Sequence, residues 1–510
     1  MQNRTRYSGL HRIFAVLFIA VLTVSACSKG QDKAELNREK EQFSLSIMAP
    51  LHQARPPKDE LIEELEKTTQ TKLNIEWVPN DIYRDRLINA LETNSLKKVT
   101  YVSQLDYVAV KNAIRSNMFW EIGSYLDSFP NLKTLDKHIL DETTIDGKIY
   151  GIYTERPASR QGIILRKDWL NKLQLKEPKT TEELYQVLKQ FTYGDPDGNG
   201  RDDTFGLADR NDLIFGAFKT LSSYFGTPNN WVVRDGKLIP DFTTPEYLDT
   251  MNFMKRLYNE NLVNKDFPVT SKQVQRYMLI SGKAGAIIGS MTDAPRLSDE
   301  LKKINPQAEL TLVNRISGPK GYGVWSIPSF SGIFLFSKKA IPTEEELRKV
   351  LAFYDRMMSP DASNLLQYGL LGKHYTVKDG KALIINVTAD SRNAEVMPLE
   401  ALLIANLSNP GILKVHEEAQ DPLIVLADKL TTDNSRMLIT DPAENLSSAT
   451  YDARGADLWQ IIYNATYNYI IGRIDGAGFQ SEIANWERKG GSQVLDEYNE
   501  ALKNNMARKK

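Results

Sequence analysis

A single cysteine, Cys27, serves the whole 510-residue chain. No disulfide can staple the fold, and each domain must be held by its own apolar core. The position of the cysteine constrains the chain further. Arg4, Arg6 and Arg12 form a basic head, Ile13 to Leu22 is almost unbroken apolar sequence, and Val24, Ser25 and Ala26 put small residues directly before the sulfur. That order reads as an export signal. Its apolar core is about 10 residues long, where roughly 20 are needed to cross a bilayer, so it reads as a leader and not a membrane span.

A chain of 510 residues is too long for one core and suggests two or three domains. Apolar residues make up 41% and charged residues 25%, the balance of a soluble globular protein. The formal net charge is −1, and losing the three arginines with a leader that holds no acidic residue brings it to −4. Nucleic acid is an unsuitable partner for such a chain, which has no clustered basic surface. The five histidines, His11, His52, His138, His374 and His416, have no zinc-site spacing, which argues against a zinc hydrolase.

Residues 28–42 are polar and without apolar periodicity, as expected of a tether. Beyond them strand and helix patterns alternate. Phe43 to Met48 alternates as a strand, Asp59 opens a helix with Leu61, Ile62 and Leu65 on one face, and Leu73 to Val78 is a second strand before a helix over Arg84 to Leu96. Strands are expected again at Gly162–Leu165, Ala284–Gly289 and Ile333–Phe336. Helices are expected after Thr180, from Pro245 and over Thr343–Met358, and the chain from Asp421 onward reads as mostly helical. Strand-helix alternation of this kind specifies an α/β fold with parallel sheet.

The strongest chemical motif lies at 195–206. Asp195, Asp197, Asn199 and Asp203 occupy the first, third, fifth and ninth positions of a loop that could wrap one hard cation. The Arg201 carbonyl at the seventh can add a ligand, and Gly200 allows the turn. The twelfth position is Gly206 and not a bidentate Glu, so water or the Thr204 hydroxyl is expected to complete the shell. The three carboxylates at ligand positions, Asp195, Asp197 and Asp203, repel without a cation, which favours a structural calcium ion over a metal-free turn.

Several segments, taken in order, resemble one family. They are Ile145 to Tyr153 (IDGKIYGIY), Ile164 to Phe191, the calcium-type loop, Asp235 to Phe267, SGKAGAIIG ending at Gly289, GVWSIPSFSG ending at Gly332, and Asn485 to Ala501. The order is similar to that of the family 1 extracellular solute-binding lipoproteins of Gram-positive ABC importers, which include oligosaccharide and alginate-oligosaccharide binders. The small residues before Cys27 resemble a lipobox, which implies a diacylglycerol on the cysteine thiol and anchoring to the extracellular face of the cell membrane. The resemblance implies a type II periplasmic-binding-protein-like α/β fold, with two hinge-linked lobes and a helical C-terminal extension. The expected division is a leader at 1–26, a tether at 27–42, a first lobe at 43–160 plus 328–375, and a second lobe at 161–327 plus 376–510. The chain would cross between lobes near Pro157–Gly162, Ile327–Gly332 and Gly372–Thr376. A monomer that closes over a small-molecule solute and delivers it to a membrane permease is the implied function.

Sugars require flat aromatic platforms and planar polar groups. Candidates in segments expected near the cleft are His52, Gln53, Tyr153, Glu155, Arg156, Trp231, Trp325 and Phe330. Core packing competes with ligand contact for each aromatic, and for Trp169 and Trp459 packing is the preferred reading. Ser290, Met291 and Thr292 stand where the family often places aromatic residues, which leaves sugar and peptide solutes both open. An enzyme such as a calcium-stabilised polysaccharide hydrolase is the competing class. Glu155 and Asp293 could form a carboxylate pair, but no motif singles them out, and there is neither a Gly-x-Ser-x-Gly elbow nor a phosphate loop. A solute sensor on the same fold is the third.

Overall fold

The computed structural model describes residues 43–385, 394–416 and 421–508. Cys27 and the tether lie outside them. Fifteen strands are present among the described residues: β1 Ser44–Leu51, β2 Lys72–Pro79, β3 Val99–Ser103, β4 Gly151–Glu155, β5 Gln161–Arg166, β6 Phe205–Leu207, β7 Trp231–Arg234, β8 Lys237–Pro240, β9 Ala284–Ser290, β10 Leu310–Val313, β11 Val324–Trp325, β12 Phe330–Phe336, β13 Tyr375–Lys378, β14 Lys381–Ile384 and β15 Leu438–Ile439.

Two sheets organise the molecule. The first runs β2-β1-β3-β12-β4. β1 pairs in parallel with β2 and β3, whereas β12 is antiparallel to both β3 and β4. The apolar run of β12 is buried without interruption from Ile333 to Phe336, as a central strand covered on both faces requires. Gly332 is needed there, because a Cβ would sit 2.2 Å from the Tyr101 hydroxyl oxygen. Leu61 and Leu65, four residues apart, bury the inner stripe of the helix Asp59–Thr69 against this sheet.

The second sheet runs β10-β5-β9-β6, with β9 antiparallel to β5 and parallel to β6. Here the side chain of Thr180 caps the helix Thr181–Tyr193 by accepting from the Glu183 N–H at 3.1 Å. Phe191 of that helix lies against Gly285, where a Cβ would approach to 2.1 Å. The C-terminal helices Ala449–Ile470, Gly476–Trp486 and Ser492–Arg508 join this core through Ile462, Phe479, Trp486 and Val494.

Connections between the two halves run side by side. The Arg156 N–H donates to the Ser329 carbonyl and the Ile327 N–H to the Ala158 carbonyl, each at 2.8 Å. The expected third crossing at Gly372–Thr376 is not found. Residues 376–385 and 394–416, expected with the second lobe, pack instead with the first sheet. The Ala405 N–H donates to the Tyr153 carbonyl, the Thr154 hydroxyl to the Leu403 carbonyl, and β14 holds residues 414–416 through Ala382. The chain joins the second half only with the helix Pro422–Asn434, whose Ala427 packs with Leu310 and Leu312.

Candidate functional site

β4 ends at Glu155, and after the connection 156–160 β5 begins at Gln161, opposite Ser290 at the end of β9. The connection therefore joins the carboxyl edges of both sheets, the place where open α/β sheets take ligands.

The first edge is polar. His52 and Gln53, directly after β1, share a cavity of about 380 Å³ with Thr154, Glu155, Ser331, Gln367, Glu400 and Asn406. Burial pushes the His52 pKa down, so its imidazole is neutral at neutral pH. The Glu155 carboxylate accepts from the Leu407 N–H (3.1 Å) and from the N–H and hydroxyl of Ser408 (both 2.8 Å). That anchors the 406–408 turn over the strand end.

The second edge is aromatic. Past β6, Asp209 accepts from the Ala217 N–H at 2.9 Å, and burial raises its pKa to about 6. Arg210 binds Gln275 and Asp212, each at 3.0 Å. The Tyr463 hydroxyl donates to Asn211. Phe215, 48% exposed, lies 5.7 Å from the Trp325 ring, and its carbonyl abuts Gly289 near the end of β9. Trp459, 40% exposed, packs against Tyr463 with ring centroids 4.5 Å apart and planes tilted by 43°.

Several expected contacts prove to be core. Tyr153 is wholly buried, its hydroxyl accepting from the Asp136 N–H at 2.8 Å. Trp325 is 3% exposed and donates its indole N–H to the Thr220 hydroxyl at 3.1 Å. Phe330 packs edge-on against Tyr107, and Trp231 packs against Tyr498. Both are buried, though Trp231 lines the wall of a small aromatic cavity with Trp459 and Tyr463. Arg156 is half-buried and donates from Nε to the Pro328 carbonyl at 2.9 Å, bracing the connection. The preferred packing reading holds for Trp169, which is 2% exposed, and fails for Trp459. Phe215 and Tyr463 were not singled out in the sequence.

The loop at 195–203 is exposed over 197–202 and curls around Asn199. The Asn199 amide donates to Asp197 at 2.8 Å and to Asp203 at 3.0 Å, the Gly200 N–H to Asp195 at 3.2 Å, and Lys283 pairs with Asp203 at 2.8 Å. The Arg201 N–H donates to the Asn199 side-chain oxygen at 2.8 Å. Donors thus already gather where the carboxylates meet. Thr204, expected to complete a shell, is buried and donates to the Phe191 carbonyl at 2.8 Å. Among the described residues no group of three His, Cys, Asp or Glu side chains is arranged to hold a metal.

Residues 49–354 match the family described as bacterial extracellular solute-binding protein, and the chain belongs to it: it is an extracellular solute-binding protein of the ABC-transporter type. Over 499 residues, covering 96% of this chain and 98% of the relative, it is 45% identical to the polygalacturonan/rhamnogalacturonan-binding protein YtcQ of Bacillus subtilis. Lipoprotein LipO of the same organism is 31% identical over 96% of this chain and 98% of its own length. An extracellular solute-binding protein from Bifidobacterium longum subsp. infantis shares the two-domain fold, with a TM-score of 0.71 at 17% identity over 91% of this chain and 99% of that one.

Proposed function

We propose that the solute is an oligosaccharide, bound in the crevice between the two carboxyl edges and handed to a membrane permease after the halves close on it. The observation that carries this reading is that the second half presents aromatic rings, exposed Trp459 against half-buried Tyr463 and exposed Phe215 against Trp325, while the first half presents a polar edge built from His52, Gln53 and Glu155. Aromatic rings cover the C–H faces of a sugar while planar polar groups take its hydroxyls. The reading is supported by the polysaccharide-derived ligand named for the relative YtcQ. Binding and release without chemical turnover is the role that follows. The test is a thermal-unfolding screen of oligosaccharides against peptides. Stabilisation by an oligosaccharide class is expected from the linkage of binding to folding, and stabilisation by peptides alone overturns the reading.

Two further roles belong to this proposal. Cys27 carries a diacylglycerol whose two chains hold the monomer on the extracellular face of the membrane; Cys27→Ala is expected to move it from the membrane fraction to the medium. The 195–203 loop takes up calcium through Asp195, Asp197, Asn199, Asp203 and the Arg201 carbonyl, and the ion stabilises that corner of the fold.

A further inference from the structure

Trp459 and Tyr463 form one side of a cavity of about 100 Å³ in the second half of the molecule. Trp231, Trp459 and Trp486, three of the seven tryptophans in the chain, line it together. The inner walls are fixed rings: Trp486 packs edge-on against Phe242 at 5.0 Å, and Trp231 against Tyr498 at 5.2 Å. Tyr451 and Trp459, 42% and 40% exposed, open the rim to solvent. The cavity stands at the crevice. Tyr463 donates its hydroxyl to Asn211, just past β6, and Asn229 donates to the Ser326 carbonyl at 2.8 Å, directly before the connection at 327–329.

One end of the cavity is polar. Its charged lining groups are Lys219 and Asp241, 3.5 Å apart and both mostly buried. The Asn230 amide donates to Asp441 at 2.9 Å, which turns its carbonyl oxygen to accept from Lys219. An ammonium carries three N–H groups, so Lys219 has one donor beyond Asn230 and Asp241.

Size and charge together restrict the occupant. An apolar cavity of about 150 Å³ accommodates benzene. A pyranose ring with its hydroxyls is bulkier, so a cavity of about 100 Å³ admits only a substituent of the ring. A cationic substituent would meet Lys219 and an anionic one Asp241. A small neutral group with an apolar end and one acceptor suits both the rings and the free N–H.

We propose that this cavity receives an O-acetyl group on a sugar ring that lies against Trp459, so that the protein selects acetylated oligosaccharides. The methyl group meets the aromatic walls, and the ester carbonyl oxygen accepts from Lys219. This rests on the oligosaccharide reading above and adds a substituent of the solute and the residues that read it.

The test is calorimetric titration with two trimers, one of galacturonate and one of xylose, each mono-O-acetylated and after mild alkaline de-acetylation. In at least one series the acetylated form is expected to bind roughly tenfold to fiftyfold tighter, the gain from one buried methyl and one hydrogen bond. Ile214 is half-buried and part of the lining, and Ile214→Trp fills the cavity. That variant is expected to lose the preference while its affinity for the de-acetylated trimer stays unchanged. Lys219→Met, which keeps the stem and loses the donor, is the second variant and is expected to reduce the preference several-fold. Both are checked for an unchanged unfolding temperature. Equal wild-type affinities in both series, or a preference that both variants retain in full, overturn the cavity assignment and leave the oligosaccharide reading standing. Failure of all four trimers to bind also overturns it, and the oligosaccharide reading falls only if the thermal-unfolding screen finds no oligosaccharide either.

Discussion

Trp459 and Tyr463 stand four residues apart on the helix Ala449–Ile470, just off the buried stripe of Gly455, Leu458, Ile462, Ala465 and Tyr469. That offset was present in the sequence. Apolar neighbours at 458 and 462 suggested burial, but a rotation of about 100° per residue puts 459 and 463 on the adjoining face. Trp325 and Trp231 carried no such signal, since their burial depends on Thr220 and Tyr498, more than a hundred residues distant in the chain. The two kinds of tryptophan predict opposite outcomes. Trp459→Ala is expected to weaken oligosaccharide binding about tenfold or more with little change in unfolding temperature. Trp325→Ala is expected to cost roughly 3–5 kcal/mol of stability. Calorimetry and denaturant unfolding on both variants separate them, and equal losses of stability would remove the platform assignment. Glu444 supplies a pH prediction. Its carboxyl rises from 4.5 to about 8 on folding, through burial and then the charges of Glu142 and Asp441. Between those values the folded protein binds more protons than the unfolded chain, so this group's contribution to stability declines as pH rises from 4.5 through 8. Glu444→Gln is expected to flatten the decline in unfolding temperature over that window. A slope identical to the wild type would show that other groups set it.

Elements were legible wherever period and cap agreed. The strand at 44–51, the helix from Asp59, the Thr180 and Thr343 caps and the strand at 284–290 fall where alternation, 3.6-residue spacing and capping residues put them. The antiparallel placement of β12 and β5 was not legible, because pairing direction is set by contacts far apart in sequence. The loop at 195–203 was legible in composition, but the destination of Thr204 was not. Its hydroxyl is claimed by the free Phe191 carbonyl at the end of the preceding helix, a partner that a motif spacing does not count. In the structure Asn199 donates between Asp197 and Asp203 and Lys283 caps Asp203, so N–H donors and a cationic amine offset the crowded carboxylates. Calcium would compete with those donors. The expected affinity is that of extracellular modules, Kd on the order of 10⁻⁴–10⁻³ M. At a hundredfold excess over Kd the ion should add about 2.7 kcal/mol, read as a rise in unfolding temperature that chelator reverses. Asp197→Asn is expected to abolish the rise. A wild-type protein indifferent to calcium and chelator would leave the loop as a turn held by Asn199.

At the scale of the whole molecule, strand-helix alternation made the α/β class legible, whereas the two-lobe division and the places where the chain crosses came from the family resemblance, and the last connection was not legible at all. Gly372 and the polar residues after it resemble a linker, whereas residues 403–408 return to β4 through hydrogen bonds to Tyr153, Thr154 and Glu155 that span about 250 positions. The consequence is functional. The 406–408 turn belongs to the first edge of the site, so Asn406 and Ser408 travel with His52 and Gln53, while Trp459, Tyr463 and Phe215 travel with the second sheet. A solute that touches both sets bridges two bodies whose described links near the site are the paired connections at 156–160 and 327–329. Binding energy gained only when both edges are in contact shifts the population toward the closed arrangement. Small-angle scattering is therefore expected to show a smaller radius of gyration when a saturating oligosaccharide is added. Trp459→Ala, which removes one half of the bridge, is expected to need more solute for the same contraction. Saturation without contraction would mean that one edge alone holds the solute.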